Sequence, residues 1–277
     1  MKAKQYLQVI KPYLEQRRFI KQESAYIPKL KDTVVNLASF PARYKTLTSV
    51  IASLLNQDSP AHSVHLWIPE GTKSQLPDSL SPMLDRGLYI HECDHLGSYS
   101  KLIHSLKEFP DFNIVTADDD MIYPHQWLSS LHKEHLLHPQ DISAYTCRLM
   151  KLSGDPILSA PYKDWTHIES GVNTTHPHFM SIGFTGVLYP PHTFNEEVFN
   201  TDLIQKLCVK NDDIWFKIMA VLNQKTHRKI KPYYGKEIYL PFTQGVGLKQ
   251  INVKKMGNEQ QIKSLVNHYN LQEYFLQ

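Results

Sequence analysis

Phe112-Asn113-Ile114-Val115-Thr116-Ala117-Asp118-Asp119-Asp120 sets a short apolar run directly against three consecutive carboxylates. The run has the length and β-branched content of a buried strand. Adjacent carboxylates repel one another, and keeping them ionised at the end of a buried strand is costly unless a cation is nearby. In extended chain, side chains two residues apart face the same way, so Asp118 and Asp120 would point together. Two such carboxylates suit a hard divalent cation, Mg²⁺ or Mn²⁺, completed by water and phosphate oxygens. The plain alternative is a solvated acidic turn.

Upstream of this stretch, strands and helices alternate. Residues 33–38 read as a strand, followed by the loop Ser39-Phe40-Pro41-Ala42-Arg43. Leu47, Val50, Ile51, Leu54 and Leu55 recur at helical spacing, and this helix stops near Asn56–Pro60. Residues 64–68 and 88–91 are the next strands. Leu102, Ile103 and Leu106 mark a second helix, and Trp127, Leu128 and Leu131 a third after Pro124. This alternation predicts an α/β fold: a mostly parallel central sheet with helices on both faces. Ligands of such sheets bind beyond the carboxyl ends of the strands, where the acidic run falls.

Downstream the pattern is less regular. Residues 152–180 mix Gly, Pro, His, Thr and Asn without periodicity and are expected to form a flexible loop. Ile214, Ile218, Met219 and Leu222 predict a helix that opens at Asn211-Asp212-Asp213. Asp and Asn are ordinary helix caps; the functional alternative is a carboxylate placed as general base. Asn258 to Gln261 has the spacing of a capping box before a last helix carrying Ile262, Leu265, Val266 and Tyr269.

Of the 277 residues, 42% are hydrophobic and 11% aromatic, which excludes a disordered chain. The net charge of +3 gives no sign of a nucleic-acid partner. It hides an asymmetry: residues 1–30 carry seven Lys/Arg against Glu15 and Glu23, and residues 217–256 carry nine against Glu237. Tyr6, Leu7, Ile10, Tyr13 and Leu14 recur at helical spacing. Residues 1–30 therefore read as a basic helical segment with a possible peripheral membrane contact. No apolar run is long enough to span a bilayer, and the start lacks a signal-peptide core, so a cytoplasmic location is expected. Cys93, Cys147 and Cys208 are too widely spaced for a disulfide framework or a CxxC metal site and read as buried thiols.

Five segments in order resemble the GT-A-fold glycosyltransferases, in particular the family-2-like bacterial enzymes of surface-polysaccharide synthesis. They are Ser39–Arg43 with the helix after it, Leu96–Leu102, Ile114–Pro124 with its DxD-like acids, Gly186–Pro191, and Asn211–Phe216. Together they span about residues 33–225. The resemblance implies one GT-A-like domain over 31–277, with a nucleotide-sugar half at 31–125 and an acceptor half at 126–277. It implies an inverting, metal-dependent transfer from a nucleotide-diphosphate sugar, UDP-linked, to a saccharide or lipid-linked saccharide. Ser39, Arg43, Lys101, Asp119 and Gly186 would bind donor, with Gly183 also approaching the sugar. Asp118 and Asp120 would hold Mn²⁺ or Mg²⁺, and Asp118 would also face the donor. Asp213, or its neighbour Asp212, would be the base. The second acidic motif is Asn-Asp-Asp where the family has Glu-Asp, and Phe184-Thr185 stands where it is richer in glycine. No third metal ligand is assigned; His227 and His268 are candidates, then His176 and His178. Competing readings are a metal-dependent nucleotidyltransferase or phosphatase, and a carbohydrate-binding protein that has lost catalysis. A dehalogenase-type phosphatase would carry its acids after the first strand, and a nucleotidyltransferase would carry glycine in the first loop.

Overall fold

The computed structural model describes residues 29–150, 162–169, 171–209, 211–231, 238–240 and 257–276. The basic N-terminal segment, with its apolar positions from Tyr6 to Leu14, lies outside the described residues. So does much of the second basic stretch.

The strands are β1 (Leu30–Ala38), β2 (Ala61–Pro69), β3 (Leu88–Cys93), β4 (Asn113–Ala117), β5 (Met121–Ile122), β6 (Ile142–Ala144), β7 (Cys147–Leu149), β8 (Thr166–His167), β9 (Thr174–Thr175), β10 (Phe179–Ser181), β11 (Val187–Tyr189), β12 (His227–Lys229) and β13 (Ile238–Tyr239). The α-helices are α1 (Tyr44–Leu55), α2 (Ser81–Leu84), α3 (Ser100–Glu108), α4 (Trp127–Leu137), α5 (Thr201–Leu207), α6 (Asp212–Leu222), α7 (Gly257–His268) and α8 (Gln272–Leu276). Eight strands form one sheet in the order β3-β2-β1-β4-β11-β6-β12-β9. β1 pairs in parallel with β2 and β4, β2 with β3, and β6 with β12. β11 runs antiparallel between β4 and β6, and β9 antiparallel on the edge. β10, β7 and β8 make a small antiparallel sheet, and β13 pairs with β5.

Both faces of the large sheet are covered, so its central strands carry adjacent apolar residues, Val34-Val35, Ile114-Val115 and Leu188-Tyr189, rather than strict alternation. Val34, Ile114 and Tyr189 pack into one core with α3, α6 and α7. Their chain neighbours Val35, Val115 and Leu188 pack into the other with α1 and α4. Full burial of such side chains contributes about 1.5–3 kcal/mol each. The expected α/β architecture, mostly parallel with helices on both faces, is the one found. No helix among the described residues is long and apolar enough to cross a membrane. Cys93, Cys147 and Cys208 are buried and unbridged.

Three local expectations need correction. Asp118–Asp120 is not extended: the chain turns at Asp119 and Asp120 before entering β5, so the two-residue alternation does not apply. Asn258 is no cap; α7 starts at Gly257, and Asn258 is buried, accepting from Asn211 Nδ2 at 3.0 Å. The described part of 152–180, expected as a long flexible loop without periodicity, carries short regular elements: a 3-10 turn (Tyr162–Asp164), β8, β9 and the start of β10; residues 151–161 lie outside the described residues.

Candidate active site

Strand register builds the first half of the site. β1 and β4 run side by side with Leu37 opposite Ala117, so the residues that follow each strand emerge together. Ser39 Oγ donates to Asp119 Oδ2 at 2.6 Å. The loop after Ser39 closes in a 3-10 turn, Pro41–Arg43, started by a proline whose missing N–H would have had no partner there. That turn delivers Arg43, whose Nη1 donates to Asp119 Oδ1 and lies 3.4 Å from Asp120 Oδ2. Asp119 is therefore a buried carboxylate held by two donors. Burial still raises its pKa, against the lowering effect of Arg43 and Ser39.

Lys101 joins this half to the second. It lies in the first turn of α3, where a cation opposes the helix dipole, and it is 6% exposed. Its Nζ donates to Asp118 Oδ1 at 2.6 Å and lies 3.4 Å from Asp212 Oδ2. Burial works to lower its pKa, but Asp118 and Asp212 outweigh that and lift it well above the ordinary lysine range. Lys101 stays an ammonium, and the acids after β4 and at the head of α6 meet across it.

The head of α6 is capped by Asn211, whose side chain accepts from Ile214 N at 3.3 Å. Asn211 takes the capping duty and leaves both aspartates to other partners. Asp213 Oδ1 accepts from Gly183 N at 2.9 Å. Burial first, then the neighbouring Asp212, pushes the Asp213 carboxyl well above the usual carboxylate range. Asp120 is pushed up to about 6, by burial and then by Asp118.

The Gly183–Thr185 turn explains the glycines. A Cβ on Gly183 would sit 3.1 Å from Asp213 Oδ1 and 3.4 Å from Lys101 Nζ, so Gly183 faces the acids. Gly186 has φ +105, and a Cβ there would come within 2.6 Å of the Trp127 ring. The close approach that Gly186 permits is to Trp127, the packing alternative for this glycine. Trp127 Nε1 donates to Thr185 O at 2.8 Å, tying α4 to the same turn.

One residue with no role in the sequence reading is central. The Tyr123 hydroxyl accepts from Asp118 N at 2.7 Å and reaches Phe184 O at 3.3 Å. Its position five residues after Asp118 was the available signal, but its second partner lies 61 residues away. The structure thus brings Ser39, Arg43, Asp119 and Asp120 together on one side, and Lys101, Asp118, Asp212 and Asp213 on the other. His227 is buried on β12 and bonded through Nδ1 to Ser181 Oγ at 2.8 Å, whereas His268 and His176 are exposed. Among the described residues, no three acidic, histidine or cysteine side chains are grouped so as to hold a metal ion by themselves.

No family model matches the chain, and no curated protein matches it. Among solved structures it is similar to S. aureus TarS, a glycosyltransferase, at 16% identity over 76% of this chain, with a TM-score of 0.47. It is similar to TarS 1-349 in complex with UDP (15%, 74% of this chain, 0.46) and with UDP-GlcNAc (15%, 74%, 0.43). The matches take in 36% of the first TarS chain and 59% and 60% of the two shorter ones, less than two thirds of each.

Proposed function

We propose that this chain is a nucleotide-sugar-dependent glycosyltransferase on a GT-A-like fold, acting with inversion. The observation that carries the reading is Lys101, whose ammonium joins the acid after β4 to the acid pair of α6 at the carboxyl end of the sheet. Such a site holds the two kinds of group that sugar transfer needs: cations for a departing diphosphate and a carboxylate for an acceptor proton.

Ser39, Arg43 and Lys101 bind the nucleotide diphosphate, with UDP as the nucleotide class. Asp119 holds Arg43 in place through its buried ion pair. Asp212 steadies Lys101. Asp213 is the base: burial, and then Asp212, raise its affinity for a proton above that of an ordinary aspartate, and the Gly183 N–H holds it in place. As the acceptor oxygen bonds to the anomeric carbon, the carbon–oxygen bond to the diphosphate breaks and the hydroxyl proton passes to Asp213. One displacement inverts the anomeric centre.

A divalent metal fits the charge of the site. Among the described residues, the cations beside Asp118, Asp119, Asp120, Asp212 and Asp213 are Lys101 and Arg43. Asp118 and Asp120 would hold Mn²⁺ or Mg²⁺, with donor phosphate and water oxygens completing the shell. When bound, the metal stabilises the charge that develops on the leaving diphosphate. The acceptor is a saccharide, lipid-linked in surface-polysaccharide synthesis, with the basic N-terminal segment as the contact to the membrane.

The test is thermal stability with UDP-, GDP-, CMP- and dTDP-linked sugars, each with Mn²⁺ and with EDTA. A ligand that binds only the folded state raises the melting temperature by mass action. A rise with one nucleotide class that EDTA removes is the expected result. No rise with any of them overturns the donor assignment.

A further inference from the structure

Two aromatic rings stand at the rim of the acidic site, and the chemistry above uses neither. Phe184 is the middle residue of the turn entering β11. That turn is fixed on three sides: Gly183 N to Asp213, Phe184 O to the Tyr123 hydroxyl, and Thr185 O to Trp127. Tyr239 lies on β13, which pairs with β5 immediately after the acidic run, Tyr239 opposite Met121. The next residue, Leu240, donates its N–H to Asp120 O at 2.9 Å. The two rings are therefore each one residue away from a backbone group bonded to a site aspartate. Their centroids are 6.0 Å apart with planes 25° from parallel. Phe184 is half-buried and Tyr239 is 42% exposed, so the pair offers aromatic surface to solvent beside the carboxylates.

We propose that Phe184 and Tyr239 are a platform on which the acceptor sugar lies by a carbon–hydrogen face. The proposal rests on the glycosyltransferase reading and adds the acceptor subsite to it. A sugar ring has an apolar face of C–H bonds, which carry small positive charge, and an aromatic face carries negative charge, so the two attract. The hydroxyls around the sugar's edge are then free to face Asp213, which the Phe184 turn itself holds through Gly183 N. The donor groups Ser39 and Arg43 emerge from β1 and engage Asp119 and Asp120 rather than Asp213. Because the turn that carries Phe184 is bonded to Asp213, the proposed base, the ring pair suits a saccharide acceptor rather than a nucleobase.

Saturation-transfer NMR tests this with the methyl glycosides of glucose, galactose, mannose and N-acetylglucosamine as probes. The protein variants are wild type, Tyr239→Ala and Tyr239→Phe. At least one glycoside is expected to receive saturation on the C–H protons of one face. Its affinity should weaken about three- to tenfold in Tyr239→Ala and stay unchanged in Tyr239→Phe. Wild-type protein that binds none of the glycosides, or an affinity that is unchanged in Tyr239→Ala, overturns the platform. UMP provides the other arm. If Tyr239→Ala abolishes saturation of the uracil protons instead, the rings hold the base and the acceptor assignment falls. Nucleotide-dependent melting of the wild type reads the donor assignment separately, so either idea can fail alone.

Discussion

Asp118-Asp119-Asp120 and Asp212-Asp213 meet at one lysine but are held in different ways. The first run follows a buried parallel strand and turns back, so each side chain finds a different partner: Lys101 for Asp118, Ser39 and Arg43 for Asp119, Arg43 at longer range for Asp120. The second sits at a helix head whose capping is done by Asn211, and its inner member has a backbone N–H as its partner. In the proposed mechanism the first run is the place for cations and the second the place for protons. Acidity in the sequence looks the same in both; what differs is how much positive charge the fold supplies.

The largest test of that difference is Asp213→Asn. The amide keeps an acceptor for Gly183 N but cannot take a proton. Transfer should fall about 10²- to 10⁴-fold while nucleotide binding stays, read as initial rates beside ligand-induced melting. Full transfer activity would remove Asp213 from the base role. Next is Lys101→Met, which strips the shared cation from two partly buried carboxylates. Denaturant unfolding should show a loss of about 3–5 kcal/mol, partly restored by adding Asp118→Asn. An unchanged midpoint in Lys101→Met would mean that the two motifs are not coupled through the lysine.

The acidic run also predicts a pH dependence. The Asp120 pKa rises from an ordinary 3.8 to about 6 on folding, because burial and Asp118 disfavour its charge. Between those values the folded protein holds a proton that the unfolded chain has lost. In EDTA, stability should therefore fall as pH rises through this window, by no more than about 3 kcal/mol. Mn²⁺ or Asp120→Asn should flatten the slope; a slope that persists in Asp120→Asn would assign it to another group. The smallest effect is Asn211→Ala, which removes the cap of α6 at about 1 kcal/mol. Its melting temperature should drop slightly, and a larger loss of transfer would show that the cap also orients Asp213.

Much of the sheet was readable because parallel strands buried on both faces leave continuous apolar runs. Residues 33–38, 64–68, 88–91 and 112–116 each fall on or within a residue of a strand, and α1, α3, α4 and α6 carry the apolar spacing read for them. The short elements were not readable. β11 has only Val187-Leu188-Tyr189, too few residues for a period, and its place between β4 and β6 comes from long-range pairing. In the site, residue types announced Asp118 and Asp213 as candidates, but local sequence could not say that Lys101 spans them or that Tyr123 ties Asp118 to Phe184. Extended-chain geometry also failed at Asp119, where Ser39 and Arg43 draw the carboxylate out of alternation. Gly186 was legible as special, yet the ring that demands it is contributed by Trp127, 59 positions earlier.

β11 has one further consequence. It runs against β4, with Val187 opposite Thr116, so the chain entering β11 lies at the edge where β4 leaves. The gap between Asp118 and the turn holding Asp213 is therefore measured out by a hydrogen-bond ladder rather than by side-chain size. A slip of one rung would carry that turn about 3.3 Å along the sheet and exchange the faces on which Val187 and Leu188 point. Point substitutions around the acids should thus be easier to accommodate than a single inserted or deleted residue between Gly183 and Val187. The spacing of this segment, more than its composition, is what related chains would have to preserve.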